Sequence, residues 1–198
     1  MPHTDLGAIV LTGGTGARLG GVDKAGLVLG GLSLLARALA AVDAAGQVVV
    51  VGERTETART VTWAREQPAG GGPAAGVLAG LDALAPRPLW VCVLAVDMPW
   101  VTAATVGRLL DAVSRRVTDP PDGAVLLDDG GTPQTLAAVY RSAALQAARP
   151  AAGAHNLSLR SLVGGLGLVE VPAVGNEARD VDTPADLEAM HVLHEADQ

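Results

Sequence analysis

Near its start the chain reads Gly7-Ala-Ile-Val-Leu-Thr-Gly-Gly-Thr-Gly-Ala-Arg-Leu-Gly-Gly-Val-Asp-Lys24, an apolar run that gives way abruptly to glycine. Residues 8–11 are apolar and rich in β-branched side chains, which is typical of a strand buried in a parallel sheet. The glycines that follow free the backbone to approach a ligand closely, and they are Gly13, Gly14, Gly16, Gly20 and Gly21. Exposed N–H groups in such a loop bind phosphate oxygens, and Arg18 and Lys24 supply positive charge beside them. The sequence therefore predicts a strand followed by a polyphosphate-binding loop.

Two better-known phosphate-binding patterns do not fit this loop. The P-loop pattern places Ser or Thr directly after its lysine, whereas Ala25 follows Lys24. The dinucleotide-binding pattern G-x-G-x-x-G fails because Gly20 comes one position too late after Gly14-Thr-Gly16. An ordinary flexible connection is the alternative, although long loops in compact domains are usually functional.

A resemblance to a known family is carried by residues 11–24, which read L-T-G-G-T-G-A-R-L-G-G-V-D-K. This run resembles the signature L-A-G-G-x-x-x-R-M-G-x-x-K of nucleotidylyltransferases, and its G-G-x-D-K ending is most similar to the molybdenum cofactor guanylyltransferases. Thr12 replaces the usual alanine and Leu19 the usual methionine. The resemblance implies that Lys24 and Arg18 act in catalysis. It also implies that the nucleotide substrate, GTP, contacts Leu11, Thr12, Gly13, Gly14, Gly16 and Lys24.

The bulk composition restricts the class of partner. The chain has 198 residues, 49% hydrophobic and 18% charged, which is typical of a globular protein and predicts one domain over residues 1–198. A net charge of −7 argues against a nucleic-acid partner, because surfaces that bind the phosphate backbone need a basic stripe. The 2% of aromatic residues argues against a surface on which single-stranded bases stack. We expect no membrane partner and a cytoplasmic location, since no apolar run approaches the ~20 residues that span a bilayer. The single cysteine, Cys92, fits a reducing compartment and is expected in the core.

A second glycine-rich segment, Ala69-Gly-Gly-Gly-Pro-Ala-Ala-Gly76, leads directly into an apolar pattern of helical spacing. A linker is the alternative, but linkers do not usually open an amphipathic helix. In the resembled family a G-P-L-A-G element here follows an acidic residue and approaches the guanine base and ribose. The resemblance therefore implies nucleotide contacts from Gly72, Pro73 and Gly76, with Glu66 where the acid, usually aspartate, would be.

A carboxylate, Asp97, follows the apolar run of residues 89–96. Ligands of open α/β sheets bind at the carboxyl ends of strands, and a buried carboxylate requires a cation, water or a partner. Asp97 is therefore a candidate magnesium ligand, although it could instead cap a helix that begins near Thr102. The V-D-M-P run resembles the family's metal-binding C-D-x-P, which implies that Asp97 also contacts the nucleotide and acts in catalysis.

The second candidate metal ligand, Asp182, lies in Asp180-Val-Asp-Thr-Pro-Ala-Asp-Leu187, where Thr183-Pro184 predicts the start of a helix. The family carries N-x-N-T-P-x-D-L here, and the resemblance implies that position 182 approaches the metal opposite Asp97. Aspartate in place of asparagine adds negative charge, and related cytidylyltransferases for the same cofactor often have aspartate there. The choice between guanine and cytosine therefore stays open.

Other candidate residues have plainer alternatives. In the resembled family, the step that carries Gln134, Tyr140 and Arg141 lines the cleft for the second substrate, although Tyr140 is equally expected in the core. Ser158 and Arg160 belong to a segment that resembles the family's S-L-R-A-L helix, where a solvent-exposed face is the alternative to a pterin contact.

Two further polar groups are expected to have no catalytic role. Asp128-Asp-Gly-Gly131 resembles a paired-carboxylate metal site, but such a string between two strands is more often a turn. His191 and His194 lie three positions apart with no third ligand nearby, so we expect them at the surface.

Strands alternate with helices through residue 117, and later strands follow with shorter connections. This order predicts a three-layer α/β/α arrangement with a parallel sheet and antiparallel additions on one side. It matches the Rossmann-like, mostly parallel mixed sheet of the nucleotidyltransferases that the chain resembles. The resemblance implies transfer of GMP from magnesium-bound GTP to the terminal phosphate of molybdopterin, with release of pyrophosphate. The alternatives are transfer from CTP to molybdopterin, nucleotidylyl transfer to another small-molecule phosphate, and a nucleotide-binding relative without turnover. The implied recipients of the product are molybdoenzymes or their chaperones, and the expected assembly is a monomer or a weak homo-oligomer.

Overall fold

The computed structural model describes residues 3–13, 24–115, 120–183, 186 and 188–189, and within them the chain forms nine strands and five helices. The strands are β1 His3–Leu11, β2 Val28–Leu29, β3 Leu32–Ser33, β4 Ala45–Val51, β5 Thr62–Ala64, β6 Trp90–Ala95, β7 Gly123–Leu127, β8 Pro133–Arg141 and β9 Leu168–Pro172. The helices are α1 Leu34–Ala41, α2 Pro73–Ala83, α3 Ala103–Ser114, α4 Ser142–Ala147 and α5 Leu159–Val163. A short 3-10 turn, Lys24–Gly26, precedes β2.

Seven strands form one mixed sheet in the order β5-β4-β1-β6-β8-β7-β9, and β2 pairs with β3 in a separate hairpin. β1 is parallel to β4 and β6, and β5 is parallel to β4. β8 runs antiparallel to β6 and β7, while β9 is parallel to β7. The expected mostly parallel sheet with antiparallel additions on one side is thus confirmed. The chain leaves β1 toward β4 on one side and returns to β6 on the other, so β1 and β6 flank the point where the strand order reverses.

Helices cover both faces of this sheet, because alternate residues of its central strands enter opposite cores. In β1, Ala8 and Val10 belong to the core built with α1 and α3. Ile9 and Leu11 belong to the core built with α2, α4 and α5. With no phenylalanine in the sequence, Val, Leu and Ala supply most of both cores. The three-layer α/β/α expectation is confirmed.

Local signals fix where the helices next to the carboxyl edge begin. α2 starts at Pro73, which follows Gly72 with a φ of +86° that favours glycine. α3 follows β6 and starts after Thr102, whose side chain accepts a hydrogen bond from the backbone N–H of Thr105. α1 starts after Ser33, whose Oγ accepts a hydrogen bond from the backbone N–H of Ala36 at 3.1 Å and so caps the helix.

Candidate active site

Lys24 lies between two aspartates that are far from it in the sequence. Its Nζ donates to Asp97 Oδ2 at 3.1 Å and to Asp182 Oδ1 at 2.8 Å. The lysine side chain is 12% exposed, whereas those of Asp97 and Asp182 are 26% and 41% exposed. The ammonium is therefore largely enclosed, while both carboxylates keep a solvent-facing side that a ligand can reach.

The ends of β1 and β6 bring this group together at the carboxyl edge of the sheet. Val96 N donates to Leu11 O at 3.0 Å where the two parallel strands end, and Asp97 follows directly. Val181 N donates to Asp97 O at 2.8 Å, and the Val181 side chain is fully buried. Because Val181 is fixed in this way, Asp182 is held beside Asp97.

Asp97 does not cap the following helix, so that alternative is wrong. Thr102 Oγ1 accepts from Thr105 N at 3.4 Å, and Thr105 Oγ1 accepts from Thr102 N at 3.0 Å. These reciprocal bonds satisfy the start of α3 and form its capping box. The Asp97 carboxylate bonds Lys24 instead.

Opposing effects set the pKa values of the site. Burial alone would lower the pKa of Lys24, but hydrogen bonds and charges from Asp182 and Asp97 outweigh it and hold this pKa above its ordinary value of 10.5. The lysine is therefore protonated at neutral pH. Desolvation, together with the negative charges of Asp182 and Asp97, raises the pKa of nearby Asp180. Among the described residues, Asp97, Asp180 and Asp182 outnumber Lys24, and their excess negative charge would favour a further cation.

Asp186 fixes the backbone at Asp182. Its Oδ2 accepts from Asp182 N at 3.1 Å, from Thr183 N at 2.7 Å and from Thr183 Oγ1 at 2.8 Å. Hydrogen bonds from Thr183 hold the pKa of Asp186 below its usual value. Asp186 N in turn donates to Thr183 Oγ1 at 3.2 Å, which is the reciprocal pattern expected at the helix start that Thr183 predicts.

The first glycine-rich loop is described only at its start. The predicted site residues that lie outside the described part of the chain are Gly14, Gly16 and Arg18. Thr12 N and Thr12 Oγ1 both donate to Val51 O, at 3.0 and 3.1 Å. Thr12 thereby ties the beginning of the loop to the end of β4. At Gly13, which follows, no atom of the described residues lies within 4 Å of where a Cβ would be.

Gly52 belongs to this arrangement, although no motif identifies it. Its φ is +150°, and a Cβ at this position would lie 1.9 Å from Thr12 Oγ1. Only glycine therefore lets Thr12 pack against the end of β4. A glycine that directly follows a buried strand often marks a close approach of backbone, and this signal could have identified Gly52 from the sequence.

The second glycine-rich loop lies beside the end of β1. A Cβ on Gly76 would lie 3.3 Å from Leu11 Cδ2, so glycine lets α2 pack closely against the last residue of β1. Glu66 Oε1 accepts from Gly70 N at 3.0 Å and so stabilises the loop that leads to Gly72. Contacts of Glu66, Gly72, Pro73 and Gly76 with a nucleotide stay predictions.

Tyr140 lies in the core, as one of its two interpretations expects, and its assignment to a substrate cleft is wrong. It is fully buried, and its hydroxyl donates to Thr135 O at 2.8 Å. Desolvation raises the pKa of Tyr140. The neighbouring Arg141 stacks on Trp90, with its guanidinium carbon 4.6 Å from the ring centre.

The Asp128-Asp-Gly-Gly131 segment forms the expected turn. Asp128 Oδ1 accepts from Gly130 N at 2.9 Å and from Thr132 N at 2.8 Å. Asp128 Oδ2 accepts from Gln134 Nε2 at 2.8 Å, so Gln134 closes the turn.

Ser158 and Arg160 have local structural partners. Ser158 Oγ accepts from Ser161 N at 3.0 Å and caps α5. Arg160 Nη2 donates to Pro133 O at 3.3 Å, and the side chains of Ser158 and Arg160 are exposed. His191 and His194 lie outside the described residues.

Asp97 and Asp182 fit a magnesium ion that is shared with a substrate. In the described part of the chain, no three His, Cys, Asp or Glu side chains are grouped to hold a metal by themselves. Mg²⁺ is usually bound by one or two carboxylates plus substrate phosphates and water. Two carboxylates that already meet at one cation, Lys24, match that donor set.

Among the described helices, none has the length and apolar character to cross a membrane.

Sequence comparisons identify relatives of this chain. A sequence profile of the MobA-like NTP transferase domain matches residues 8–169. A probable molybdenum cofactor guanylyltransferase from Opitutus terrae is 39% identical over 148 residues, which cover 72% of this chain and 70% of that protein. A molybdenum cofactor guanylyltransferase from Rhodopseudomonas palustris is 33% identical over 138 residues, which cover 66% of this chain and 63% of that protein.

Solved structures share the fold. Molybdopterin-guanine dinucleotide biosynthesis protein A from Archaeoglobus fulgidus superposes with a TM-score of 0.70 at 22% identity, over 96% of this chain and 99% of that one. A nucleotidyl transferase from Methanothermobacter superposes with a TM-score of 0.74 at 20% identity, over 99% of this chain and 100% of that one. The 2-C-methyl-D-erythritol 4-phosphate cytidylyltransferase of Thermus thermophilus superposes with a TM-score of 0.67 at 21% identity, over 95% of this chain and 98% of that one.

These superpositions cover at least 95% of this chain and confirm a nucleotidyltransferase fold. The family profile spans most of the chain, and the Opitutus terrae relative is similar over more than two thirds of both proteins. The chain therefore belongs to the MobA-like NTP transferase family and is a nucleotidyltransferase.

Proposed function

We propose that this chain transfers a guanylyl group from GTP to the terminal phosphate of molybdopterin, which releases pyrophosphate and forms the guanine dinucleotide form of the molybdenum cofactor. The names of the relatives support this pair of substrates. The observation that carries the proposal is the contact of Lys24 with both Asp97 and Asp182. It gathers, at the carboxyl edge of the sheet, the charged groups that nucleotidyl transfer needs.

The proposed GTP site extends between the two glycine-rich loops. Backbone N–H groups from Gly13 onward would bind the phosphates, with Arg18 as a second positive charge. The base and ribose would lie beside residues 72–76, with Glu66 on the ribose side. Gly76 supports this placement, because it lets the start of α2 approach Leu11 at the end of β1.

Asp97 and Asp182 are the proposed magnesium ligands. The bound ion would neutralise negative charge on the substrate phosphates. Lys24 is proposed to stabilise the charge that develops on the α-phosphate and on the departing pyrophosphate. Its raised pKa supports this role, because the ammonium keeps its charge at neutral pH.

The proposed reaction needs no general base. An oxygen of the molybdopterin phosphate forms a bond to the α-phosphorus of GTP, and the bond from that phosphorus to the bridging oxygen of the β-phosphate breaks. The bonding electron pair leaves with pyrophosphate. Because the attacking phosphate is already anionic, the protein contributes positioning and charge neutralisation rather than proton transfer.

Release of pyrophosphate tests the proposal. The protein is incubated with molybdopterin, Mg²⁺ and one of GTP, CTP, UTP or ATP, and we expect release with GTP. Faster release with CTP would assign cytidylyl transfer, for which the added charge of Asp182 is the argument, and release with none would contradict the proposal. Asp97→Asn should lower the rate at least about 100-fold. Asp111→Asn, on an exposed position of α3, is the matched control and should leave it unchanged.

A further inference from the structure

A buried carboxylate outside the site anchors the segment that carries Asp182. Glu177 is 8% exposed, and both of its oxygens are fully engaged. Oε1 accepts from Thr105 Oγ1 at 2.6 Å and from Arg108 Nη1 at 2.9 Å. Oε2 accepts from Arg108 Nη2 and from Val174 N, the latter at 2.8 Å. With four donors in place, this carboxylate serves as an attachment point rather than as an acid, a base or a ligand.

The attachment lies in the middle of a segment without helix or strand. β9 ends at Pro172, and Ala173 N donates to Leu127 O at 2.8 Å. Residues 175–178 form turns, and the next backbone hydrogen bond to another element is from Val181 N to Asp97 O. Among the described residues between these two points, Glu177 is the one whose side chain forms hydrogen bonds with a helix, α3.

The same turn of α3 also receives the segment that carries Asp97. Thr102 ends the connection that follows Asp97, and its N–H donates to Thr105 Oγ1 at 3.0 Å. That hydroxyl donates in turn to Glu177. One threonine at the start of α3 therefore joins the two segments whose carboxylates meet at Lys24. The positive end of the helix dipole also favours the Glu177 carboxylate at this place.

We infer that Glu177 and Arg108 are positioning residues, which hold Asp182 opposite Asp97 through the first two turns of α3 and thereby set the affinity of the site for a divalent cation. The inference rests on the proposed function, in which Asp182 is a magnesium ligand. Contacts that orient a metal ligand typically change metal affinity by about 10- to 100-fold when removed. Glu177→Gln should therefore raise the half-saturating Mg²⁺ concentration about tenfold, although Lys24 and both aspartates are intact.

Two measurements separate positioning from folding. The first is the thermal stabilisation that GTP produces at increasing Mg²⁺, with each variant compared with its own Tm without nucleotide, so that a loss of basal stability cancels. The second needs neither metal nor nucleotide. Lys24 is the only lysine in the sequence, so labelling with ¹³Cε-lysine gives one side-chain NMR signal that reports its contact with Asp182.

Four variants are compared with the unsubstituted protein. Asp182→Asn is the reference, and we expect it to move the lysine signal and to weaken the Mg²⁺ dependence. Glu177→Gln should shift the lysine signal in the same direction and should also weaken the Mg²⁺ dependence. Arg108→Lys keeps the charge but loses the two-pronged contact, so its effect should be intermediate, and it carries the test if Glu177→Gln does not fold. Glu170→Gln removes the same charge from an exposed position of β9 and should change neither.

Each result decides something. A lowered Tm in Glu177→Gln with an unchanged lysine signal and Mg²⁺ dependence would overturn the inference, since Glu177 would then only stabilise the fold. An unchanged Mg²⁺ dependence in Asp182→Asn would instead overturn the magnesium role proposed for Asp182, and with it the effect on metal affinity. The lysine signal in Glu177→Gln would still decide whether the anchor positions Asp182.

Discussion

At the scale of single residues, Lys24 connects the charged parts of the site. It is the only lysine in a chain with 14 basic residues, and it meets an aspartate 158 positions away. A lysine ammonium has three N–H donors around one compact charge, whereas a guanidinium presents a flat fork. Two of those donors bond Asp97 and Asp182. No described residue accepts a hydrogen bond from the third, which would bind a phosphate oxygen of the substrate in the proposed reaction.

Replacement of this lysine should affect turnover more than binding. We expect Lys24→Met, which keeps the length of the side chain, to lower kcat by roughly 100-fold or more, because a donor that stabilises transition-state charge typically contributes that much. The affinity for GTP should fall far less, since the backbone N–H groups of the loop remain. Pyrophosphate release and calorimetric titration measure the two effects.

The control is Arg115→Met, which removes a positive charge from an exposed side chain at the end of α3. It should leave both measurements unchanged. Equal losses of turnover and affinity in Lys24→Met would show that the lysine binds substrate and transition state alike, and would exclude it from the proposed catalytic role.

Gly52 gives a second prediction at this scale, on stability. Gly52→Ala places a Cβ 1.9 Å from Thr12 Oγ1 and forces alanine into a φ of +150°. We expect a loss of roughly 2–4 kcal/mol in the free energy of unfolding, from backbone strain and from the clash together. Urea unfolding measures this loss.

The double variant separates the two causes. Thr12→Ala removes the hydroxyl, so Gly52→Ala in that background should cost only the backbone strain, about 1–3 kcal/mol. A double-mutant cycle then isolates the clash. If Gly52→Ala costs the same in both backgrounds, the packing of Thr12 against Gly52 does not explain why glycine is needed there.

At the scale of elements, the ion pair between α3 and the segment after β9 predicts a dependence on pH. Burial alone would raise the pKa of Glu177, but hydrogen bonds from Arg108, Thr105 and Val174 outweigh it and hold this pKa below its ordinary value of 4.5. A carboxylate with a lower pKa in the folded than in the unfolded chain stabilises the fold above the unfolded pKa. That stability is lost as the pH falls through the folded pKa.

The Tm difference between the unsubstituted protein and Glu177→Gln should therefore be constant above about pH 4.5 and should narrow below it. Thermal unfolding from neutral pH down to about pH 3 measures it. Glu170→Gln, an exposed glutamate of β9, should show no such narrowing. A difference that does not depend on pH would mean that the charge of Glu177 contributes nothing and that shape alone accounts for the anchor.

The elements around the site were predictable where the signal is local. The apolar run before the first glycines and the glycine-rich start of α2 are patterns of neighbouring residues, and the structure confirms both elements. The sequence offers two cap residues for the start of α3, because Asp97 and Thr102 both have side chains that cap helices and lie within one short segment. The choice of Thr102 depends on Thr105, whose hydroxyl completes the capping box. No local pattern predicts the contact of Glu177 with α3, since its partners there, Thr105 and Arg108, lie 72 and 69 positions earlier.

At the scale of the whole molecule, the sequence indicates which residues form the candidate site but not how they meet. Motifs identify Lys24, Asp97 and Asp182 one at a time. Their mutual contact spans 73 and 158 positions, and it exists because the strand order reverses between β1 and β6. The order of strands in a sheet depends on pairing between distant segments, and no pattern of neighbouring residues encodes it. The resemblance implied that two carboxylates approach one metal, whereas their shared contact with the lysine comes from the fold.

The reactivity of Cys92 shows whether the central sheet of the protein opens. It lies in β6, the strand between β1 and β8, where it pairs with Ala8 on one side and Val139 on the other. The side chain is 2% exposed, and burial raises the pKa of its thiol to about 12. Because the thiolate is the reactive form, the folded protein should resist alkylation. Labelling then requires the central sheet to open.

Labelling of Cys92 should therefore depend on ligands that bind only the folded chain. With GTP and Mg²⁺ at about 100 times the dissociation constant, the folded state gains about 2.7 kcal/mol, so alkylation by iodoacetamide should slow about 100-fold when opening is faster than labelling. Mass spectrometry of the labelled fraction over time measures the rate, and the free thiol of glutathione in the same tube controls for reagent decay. Equal protection by CTP would show that the site does not discriminate the base. Rapid labelling that no nucleotide changes would mean that Cys92 is reached through a local fluctuation of β6, and that the site at the end of this strand is not coupled to its core.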